Sequence, residues 1–243
     1  FHGRTSAAVA VTDNLNINAP LNQQQEVTFI PFNDLEKLEN ELKKGDVCGV
    51  IFEPIQGVGG LDIPDDDFVI GMNTLCEKYK SCLIADEVQS GFSRSGNFFA
   101  FQQNNIKPHV ITMAKGMGNG FPIGGILVHP NLKPKYGMLG TTFGGNHLAC
   151  TASLAVLEII KKDKLQQHAK SMETYFRTKA EKIKGIEIKG RGLMLGLAFN
   201  FEVAPLRKRL IYEKNIFTGG SSNKNILRIL PPLTVQEKHF DRF

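Results

Sequence analysis

The chain has 243 residues, enough for one large domain or for one and a half ordinary ones, and 42% of them are hydrophobic. Because no apolar run approaches the roughly 20 residues of a membrane span, we expect no membrane partner. The formal net charge of +5 is modest and no basic stripe is interleaved with aromatic residues, so we expect no nucleic-acid partner.

The first part of the chain predicts alternating strands and helices. Residues 47–52 form a continuous apolar run, which is typical of a strand buried on both faces. Pro64 and three aspartates then open a helix whose apolar residues recur at helical spacing as far as Tyr79. Further strands are predicted at residues 83–86, 110–113 and 123–128. This order indicates an α/β fold with a mostly parallel central sheet flanked by helices.

The pattern changes in the last part of the chain. Residues 148–160 predict an apolar helix and residues 164–183 a longer amphipathic one. Two short β-like runs, 192–199 and 225–230, flank a helix that begins near Ala204. We therefore expect residues 1–164 to belong to a large α/β domain and residues 165–243 to a smaller C-terminal α+β domain.

The four cysteines have no C-x-x-C spacing, and three of them lie in apolar strand or helix patterns. This distribution predicts buried free thiols in a reducing compartment, and hence a cytoplasmic protein.

Two of the predicted strands end in side chains that carry chemistry. Residues 83–86 end in Asp86, and residues 110–113 lead through Ala114 to Lys115 and a glycine-rich turn. In a parallel sheet both side chains lie at the carboxyl edge, where ligands bind. A lysine and a carboxylate placed there suit pyridoxal phosphate: the amine forms a Schiff base with the cofactor aldehyde, and the carboxylate keeps the pyridine nitrogen protonated.

The residues around this pair bear on the cofactor hypothesis. Taken singly, Asp86 fits a turn or capping residue better, and Lys115 a solvated surface residue; their combination favours the cofactor site. Val88 suits an apolar contact on the ring face, and Gln89 suits a hydrogen bond to the phenolic oxygen. Because Lys115 follows an apolar strand, we expect its amine to be partly desolvated.

Other segments suit anionic ligands. The glycine- and threonine-rich residues 140–146 precede a helix near His147, and hydroxyls and amides at a helix start bind phosphate, although the same composition is typical of an ordinary turn. Arg4 and Arg228 are candidate carboxylate anchors. An arginine inside an apolar run, such as Arg228, needs an anionic partner if it is buried, and a structural Asp or Glu would serve as well as a ligand.

These motifs together resemble the class III aminotransferases, which are fold-type I pyridoxal phosphate enzymes. The resemblance covers essentially the whole chain and is carried by residues 53–57, 83–125, 140–150, 190–196 and 227–232. It implies a transferase that uses pyridoxal phosphate in a ping-pong cycle through Lys115. Within the family, the chain is most similar to enzymes of arginine biosynthesis that transfer the terminal amine of N2-acetylornithine to 2-oxoglutarate.

The resemblance also implies roles for individual residues. Lys115 and Asp86 would be catalytic, and no metal is expected. The cofactor-binding residues would be Phe1, Asp86, Glu87, Val88, Gln89, Lys115 and Thr142, and the substrate-binding residues would be Arg4, Thr141 and Arg228. Phe1 would stack on the ring face opposite Val88. Thr142 would bind the phosphate of the partner subunit's cofactor, so we expect a homodimer with a shared active site.

Two departures from the family pattern bear on substrate and extent. Many relatives carry Glu where this chain has Val58, and in ornithine enzymes that Glu neutralises the arginine matching Arg228; Val58 therefore counts against free ornithine. The family's phosphate-binding loop would precede Phe1 and its final helical region would follow Phe243, so we expect a chain that is incomplete at both ends. The alternatives are another ω-aminotransferase, for succinylornithine, ornithine or 4-aminobutyrate, and a non-catalytic subunit that retains the fold.

Overall fold

The computed structural model describes residues 1–24 and 26–243. The chain divides into two units. The first unit comprises Phe1–Pro54, Pro64–Gln89 and Phe101–Leu154, and the second comprises Ile55–Ile63, Ser90–Ala100 and Ala155–Phe243. That residues 1–164 and 165–243 belong to a large and a small domain stays a prediction. No helix in the described part of the chain is long and apolar enough to cross a membrane.

The first unit is organised around a four-stranded sheet. Its strands are β1 Gly49–Phe52, β2 Cys82–Asp86, β3 Val110–Met113 and β4 Gly125–Val128, in the order β1-β2-β3-β4. The β1–β2 and β2–β3 pairs are parallel and the β3–β4 pair is antiparallel, which confirms the mostly parallel sheet. Since β1 is an edge strand, Gly49, Val50 and Ile51 are only partly buried, and the expected burial on both faces is wrong.

Capping residues and charged residues at the ends set the bounds of the helices in this unit. They are α1 Ser6–Ala10, α2 Leu35–Leu42 and α3 Asp66–Tyr79, together with the first half of α4 His147–Lys162, whose residues from Ala155 onward belong to the second unit. Asp66 and Asp67 occupy the first turn of α3, where carboxylates favour the helix dipole, and Lys80 ends the helix in the left-handed conformation. Asn146 caps α4, because its Oδ1 accepts a hydrogen bond from the Ala149 amide at 3.0 Å.

The second unit contains an antiparallel sheet covered by helices. Its elements are α5 Leu165–Ala180, β5 Glu187–Arg191, β6 Met194–Ala198, α6 Ala204–Lys214, β7 Ile226–Ile229 and α7 Glu237–Arg242. The strands lie in the order β5-β6-β7. Buried side chains from α5, the sheet and α7 form its core, among them Phe176, Leu195, Leu197 and Phe240. The sequence patterns predict β6, α6 and β7 of this unit, whereas strand β5 is not predicted by them.

A two-residue turn joins β5 to β6, since Arg191 pairs with Met194. Gly192 in this turn has a φ of +62°, and its amide donates to Glu173 Oε2 at 2.6 Å. The adjacent Leu193 amide donates to the Arg94 carbonyl at 2.8 Å. Helix α5 and the loop at Arg94 thus hold the turn in place. The predicted strand at 192–199 begins two residues later because its first residues form this turn.

The cysteine prediction is only partly confirmed. All four thiols are free, and Cys76 is buried on α3. Cys48 and Cys150 are exposed and Cys82 is partly buried, so burial of the apolar-pattern thiols is wrong in part. An apolar neighbourhood in sequence does not fix which face of an edge strand or helix is covered.

Candidate active site

The carboxyl edge of the parallel sheet gathers the predicted catalytic pair. Glu53 directly follows β1, Asp86 ends β2, and Lys115 follows β3 by two residues. Register places Phe52 beside Ala85 and Asp86 beside Thr112. Thr112 is thus the β3 residue beside Asp86, and Lys115 lies three residues further along the chain. The structure brings an aspartate and a lysine to the same edge of adjacent strands, which is where α/β sheets bind ligands.

The Asp86 carboxylate is buried, at 6% exposure, and is held by three donors. Its Oδ2 lies 2.7 Å from His2 Nδ1. Its Oδ1 accepts from the Val88 amide at 3.1 Å and from Thr112 Oγ1 at 3.2 Å. Bonds to a carboxylate are stronger than neutral ones, and bonds from three directions fix the plane of the group. Asp86 is therefore oriented by groups on three separate segments.

His2 was not among the predicted site residues. Its imidazole is 11% exposed, and its backbone amide donates to Thr12 Oγ1 at 2.8 Å. Thr12 is itself buried and donates its hydroxyl to the Ala8 carbonyl of α1 at 2.7 Å. The only sequence signal for His2 was its position between Phe1 and Arg4, two residues already singled out.

Lys115 lies in a strained turn. Residues Lys115–Met117 form one turn of 3-10 helix, and Lys115 has a φ of +43°. A Cβ at Gly118 would lie 2.3 Å from the Phe121 carbonyl oxygen, so only glycine allows the backbone at Phe121 to approach position 118 this closely. The left-handed conformation costs a lysine about 1–3 kcal/mol, and such strain concentrates at functional sites. Lys115 is exposed, so the expected partial burial of its amine is wrong for the described chain.

Glu87 follows Asp86 directly, just beyond the end of β2. It is fully buried, and its Oε1 accepts from the Phe101 amide at 2.9 Å. This bond joins the end of β2 to the segment that leads towards β3. The membership of Glu87 among the cofactor-binding residues stays a prediction.

The remaining predicted residues fall into three groups. Arg4 is exposed and its guanidinium lies 5.7 Å from the centre of the Phe1 ring, on the segment that also carries His2. Val88 and Gln89 are partly buried just beyond Asp86. Thr141 and Thr142 are exposed, and Thr141 Oγ1 accepts from the Gly144 amide at 3.1 Å, which makes it a turn residue in the described chain.

Arg228 lies on β7 in the second unit. Its Nη1 donates to the Gly57 carbonyl at 2.9 Å, and its backbone pairs with Gly219 in both directions at 2.9 Å. The Val58 carbonyl accepts from the Ser222 amide at 2.8 Å, so Gly57 and Val58 are both tied to the region around β7. The effect of the side chain at position 58 on Arg228 stays a prediction.

The hydrogen bonds to Asp86 from the described residues leave part of its acceptor capacity unused. Within the described residues, Oδ1 already accepts two hydrogen bonds and Oδ2 accepts one. Because a carboxylate oxygen accepts two, Oδ2 retains a position for one further N–H donor. A buried carboxylate with one remaining acceptor position fits the protonated ring nitrogen of this cofactor.

The chain belongs to the class-III aminotransferase family, since residues 1–243 match the family described as Aminotransferase class-III. Among curated relatives, it is 35% identical to the acetylornithine aminotransferase of Methanosarcina acetivorans, over 99% of this chain and 62% of that protein. It is 36% identical to that of Aquifex aeolicus, over 100% of this chain and 64% of the relative. The chain therefore spans less than two thirds of these relatives' length.

Solved structures share the fold. The ornithine aminotransferase of Toxoplasma gondii ME49 superimposes with a TM-score of 0.89 at 27% identity, over 99% of this chain and 60% of that one. The acetylornithine aminotransferase of Elizabethkingia anophelis gives a TM-score of 0.77 at 30% identity, over 88% and 57%. These similarities confirm the predicted fold-type I architecture.

Proposed function

We propose that this chain carries the catalytic pair of a pyridoxal-phosphate-dependent aminotransferase that transfers the terminal amine of N2-acetylornithine to 2-oxoglutarate. The observation that carries the proposal is the buried Asp86 carboxylate at the end of β2, with Lys115 beyond the end of the neighbouring β3. Curated relatives named acetylornithine aminotransferase, at 35–36% identity, support the reaction and its place in arginine biosynthesis.

The bound cofactor would supply an aldehyde and an electron-withdrawing ring. Asp86 Oδ2 would accept the ring N–H, with Phe1 and Val88 on the two ring faces and Gln89 at the phenolic oxygen. Lys115 Nζ would hold the cofactor between turnovers. Once released by the amine substrate, it would move a proton to and from the substrate carbon that carries the amine. Its exposed position in the turn gives the amine access to that carbon.

The substrate assignment depends on the two arginines and Val58. Arg4 would bind the carboxylate of the acylated amino acid, and Arg228 that of glutamate or 2-oxoglutarate. Val58 follows Gly57, whose carbonyl accepts from Arg228, and valine brings no carboxylate to this region. This favours the acylated amine. Free ornithine is the second candidate, because structural neighbours include ornithine aminotransferases.

Half-reactions of the full-length protein with single amines test the substrate. We expect N2-acetylornithine to convert the cofactor absorbance faster than ornithine, N2-succinylornithine or 4-aminobutyrate. Introducing Val58→Glu should lower the rate ratio of acetylornithine to ornithine by about tenfold, equal to ~1.4 kcal/mol of charge interaction near Arg228. Val58→Gln is the uncharged control. A parent protein that reacts faster with free ornithine contradicts the assignment.

A homodimer with a shared site is part of the proposal, with Thr142 reaching the partner subunit's cofactor phosphate and Thr141 lying beside the substrate. Large apolar side chains are exposed along the same segment: Tyr136, Met138, Leu139, Phe143 and Leu148. A cluster of this kind is typical of an interaction surface. Sedimentation of the full-length protein should give a dimer, and a monomer that binds cofactor fully would contradict the shared site.

The four free thiols support a cytoplasmic location.

A further inference from the structure

We propose that Arg207 is a positioning residue for Arg228: its guanidinium holds residues 218–220, the segment against which the Arg228 side chain lies. This inference rests on the proposed function, in which Arg228 binds the carboxylate of glutamate or 2-oxoglutarate. Arg207 is on α6, and its Nη2 donates to the Thr218 carbonyl at 3.1 Å. Its Nε is buried and has no partner within the described residues, so the bond to Thr218 sets where the guanidinium lies.

The 218–220 segment contacts both the backbone and the side chain of Arg228. Gly219 and Arg228 form an isolated antiparallel bridge and exchange two backbone hydrogen bonds of 2.9 Å. A Cβ built on Gly219 would lie 3.2 Å from Arg228 Cβ and 3.3 Å from Arg228 Nε, so the Arg228 side chain runs directly over this glycine. A displacement of Gly219 therefore displaces the guanidinium that would bind the substrate carboxylate.

Arg207 lies against the next residue of the same segment. A Cβ built on Gly220 would lie 3.0 Å from Arg207 Nη1 and 3.6 Å from its Cζ. The two glycines thus bring two guanidinium groups against one short length of backbone: Arg228 at Gly219, and Arg207 at Gly220. Since Arg207 also bonds to the Thr218 carbonyl, it holds the residues on both sides of the one that pairs with Arg228.

Helix α6 gives Arg207 a fixed base. The Val203 amide, just before α6, donates to the Lys224 carbonyl at 2.9 Å, and the Arg207 amide donates to the Val203 carbonyl at 2.8 Å. The chain reverses at Asn215, whose φ is +55°, and returns along the helix to residue 218. No residue of α6 is buried, so the helix holds the returning segment through the charged donor rather than through a buried apolar contact.

Three substitutions on α6 separate this contact from other effects. Arg207→Met keeps an apolar stem and removes every donor, whereas Arg207→Lys keeps one cationic donor. Arg209→Met is the matched control, because Arg209 is on the same helix, is 69% exposed and bonds through its side chain to Glu213 alone among the described residues. The two methionine variants remove identical groups, so the difference between them reports the contact with the 218–220 segment.

The first measurement compares the two half-reactions of the full-length protein. We expect Arg207→Met to raise the half-saturating concentration of 2-oxoglutarate by about threefold to tenfold, the range for loss of one hydrogen bond, and to leave that of N2-acetylornithine within about twofold. Arg207→Lys should fall between this variant and the parent, and Arg209→Met should match the parent. In an Arg228→Gln background, Arg207→Met should give no further rise, because its effect acts through Arg228.

The second measurement needs neither cofactor nor substrate. Deuterium uptake by peptides covering residues 216–230 reports the opening of the bridge between Gly219 and Arg228. We expect this exchange to be about threefold to tenfold faster in Arg207→Met than in the parent, again the range for one hydrogen bond, and unchanged in Arg209→Met.

The outcomes distinguish this inference from the proposed function. If the parent transfers the amine and Arg207→Met affects both half-reactions equally, or neither, Arg207 does not act through Arg228, and the inference is overturned while the function stands. Additive effects of Arg207→Met and Arg228→Gln, or unchanged exchange in Arg207→Met, also overturn it. A parent that binds no pyridoxal phosphate and transfers no amine removes the proposed function, and the inference with it.

Discussion

Replacing Gly192 by alanine tests how the β5–β6 turn supports the second unit. Gly192 has a φ of +62°, and a Cβ there would lie 2.4 Å from the Ser95 carbonyl carbon and 2.6 Å from the Arg94 carbonyl oxygen. Both neighbours are backbone atoms, and real Cβ contacts essentially never fall below 3.0 Å. Gly185 is the matched control, because it has a φ of +81° and nothing within 4 Å of its Cβ position.

The cost of each substitution can be worked out from these contacts. Left-handed backbone costs an alanine about 1–2 kcal/mol at either position. At Gly192 the overlap must also displace the loop at Arg94, which weakens the 2.8 Å bond from Leu193 and the 2.6 Å bond to Glu173. Loss of such bonds costs about 1–3 kcal/mol, so the total for Gly192→Ala is about 2–5 kcal/mol.

Urea denaturation of the full-length protein, followed by circular dichroism, measures this difference. We expect Gly192→Ala to lower the free energy of unfolding by about 1–3 kcal/mol more than Gly185→Ala, which is a large fraction of ordinary protein stability. Equal losses in the two variants would refute the reasoning, because they would show that the backbone overlap at Gly192 relaxes without cost.

Two further predictions follow from shifted pKa values. Hydrogen bonds from Lys78 and Tyr79 lower the pKa of Glu39 from 4.5 to about 2. This carboxylate therefore stabilises the fold above about pH 4.5, and the contribution is lost as pH falls through about 2. The Glu39→Gln variant should unfold at a lower urea concentration than the parent at pH 7, and the two midpoints should coincide near pH 2. A difference in midpoint that does not depend on pH would contradict this. Burial raises the pKa of the Cys76 thiol to about 12, so this thiol carries little of the reactive thiolate. A disulfide reagent should therefore modify the exposed Cys150 rapidly and Cys76 only on unfolding, which peptide mass mapping measures. Fast labelling of Cys76 in the native protein would refute this prediction.

Local sequence patterns were sufficient for the elements that carry the catalytic pair. The spacing of apolar residues and the acidic first turn predict α3, and short apolar runs predict β2 and β3. Parallel neighbours end at one edge of a sheet, so the common position of Asp86 and Lys115 follows from the order of elements alone. These features are local or topological, and a single sequence contains them.

Contacts between distant residues could not be predicted in the same way. His2 and Asp86 are 84 positions apart, and neither has a pattern that points to the other. Strand β5 contains one large apolar residue, Ile188, and is defined by its pairing with β6 rather than by its own sequence. The exposure of Lys115 depends on which segments pack around the turn, and an apolar strand before it does not determine that.

The most direct test of the proposed function is covalent attachment of the cofactor. Full-length protein is loaded with pyridoxal phosphate, reduced with borohydride and digested, and the peptides are weighed by mass spectrometry. We predict that the peptide containing Lys115 gains the mass of the reduced cofactor, and that Lys115→Ala loses both this adduct and the visible absorbance band while the exposed control Lys133→Ala keeps them. Attachment at another lysine, or no attachment in the parent, would contradict the central claim.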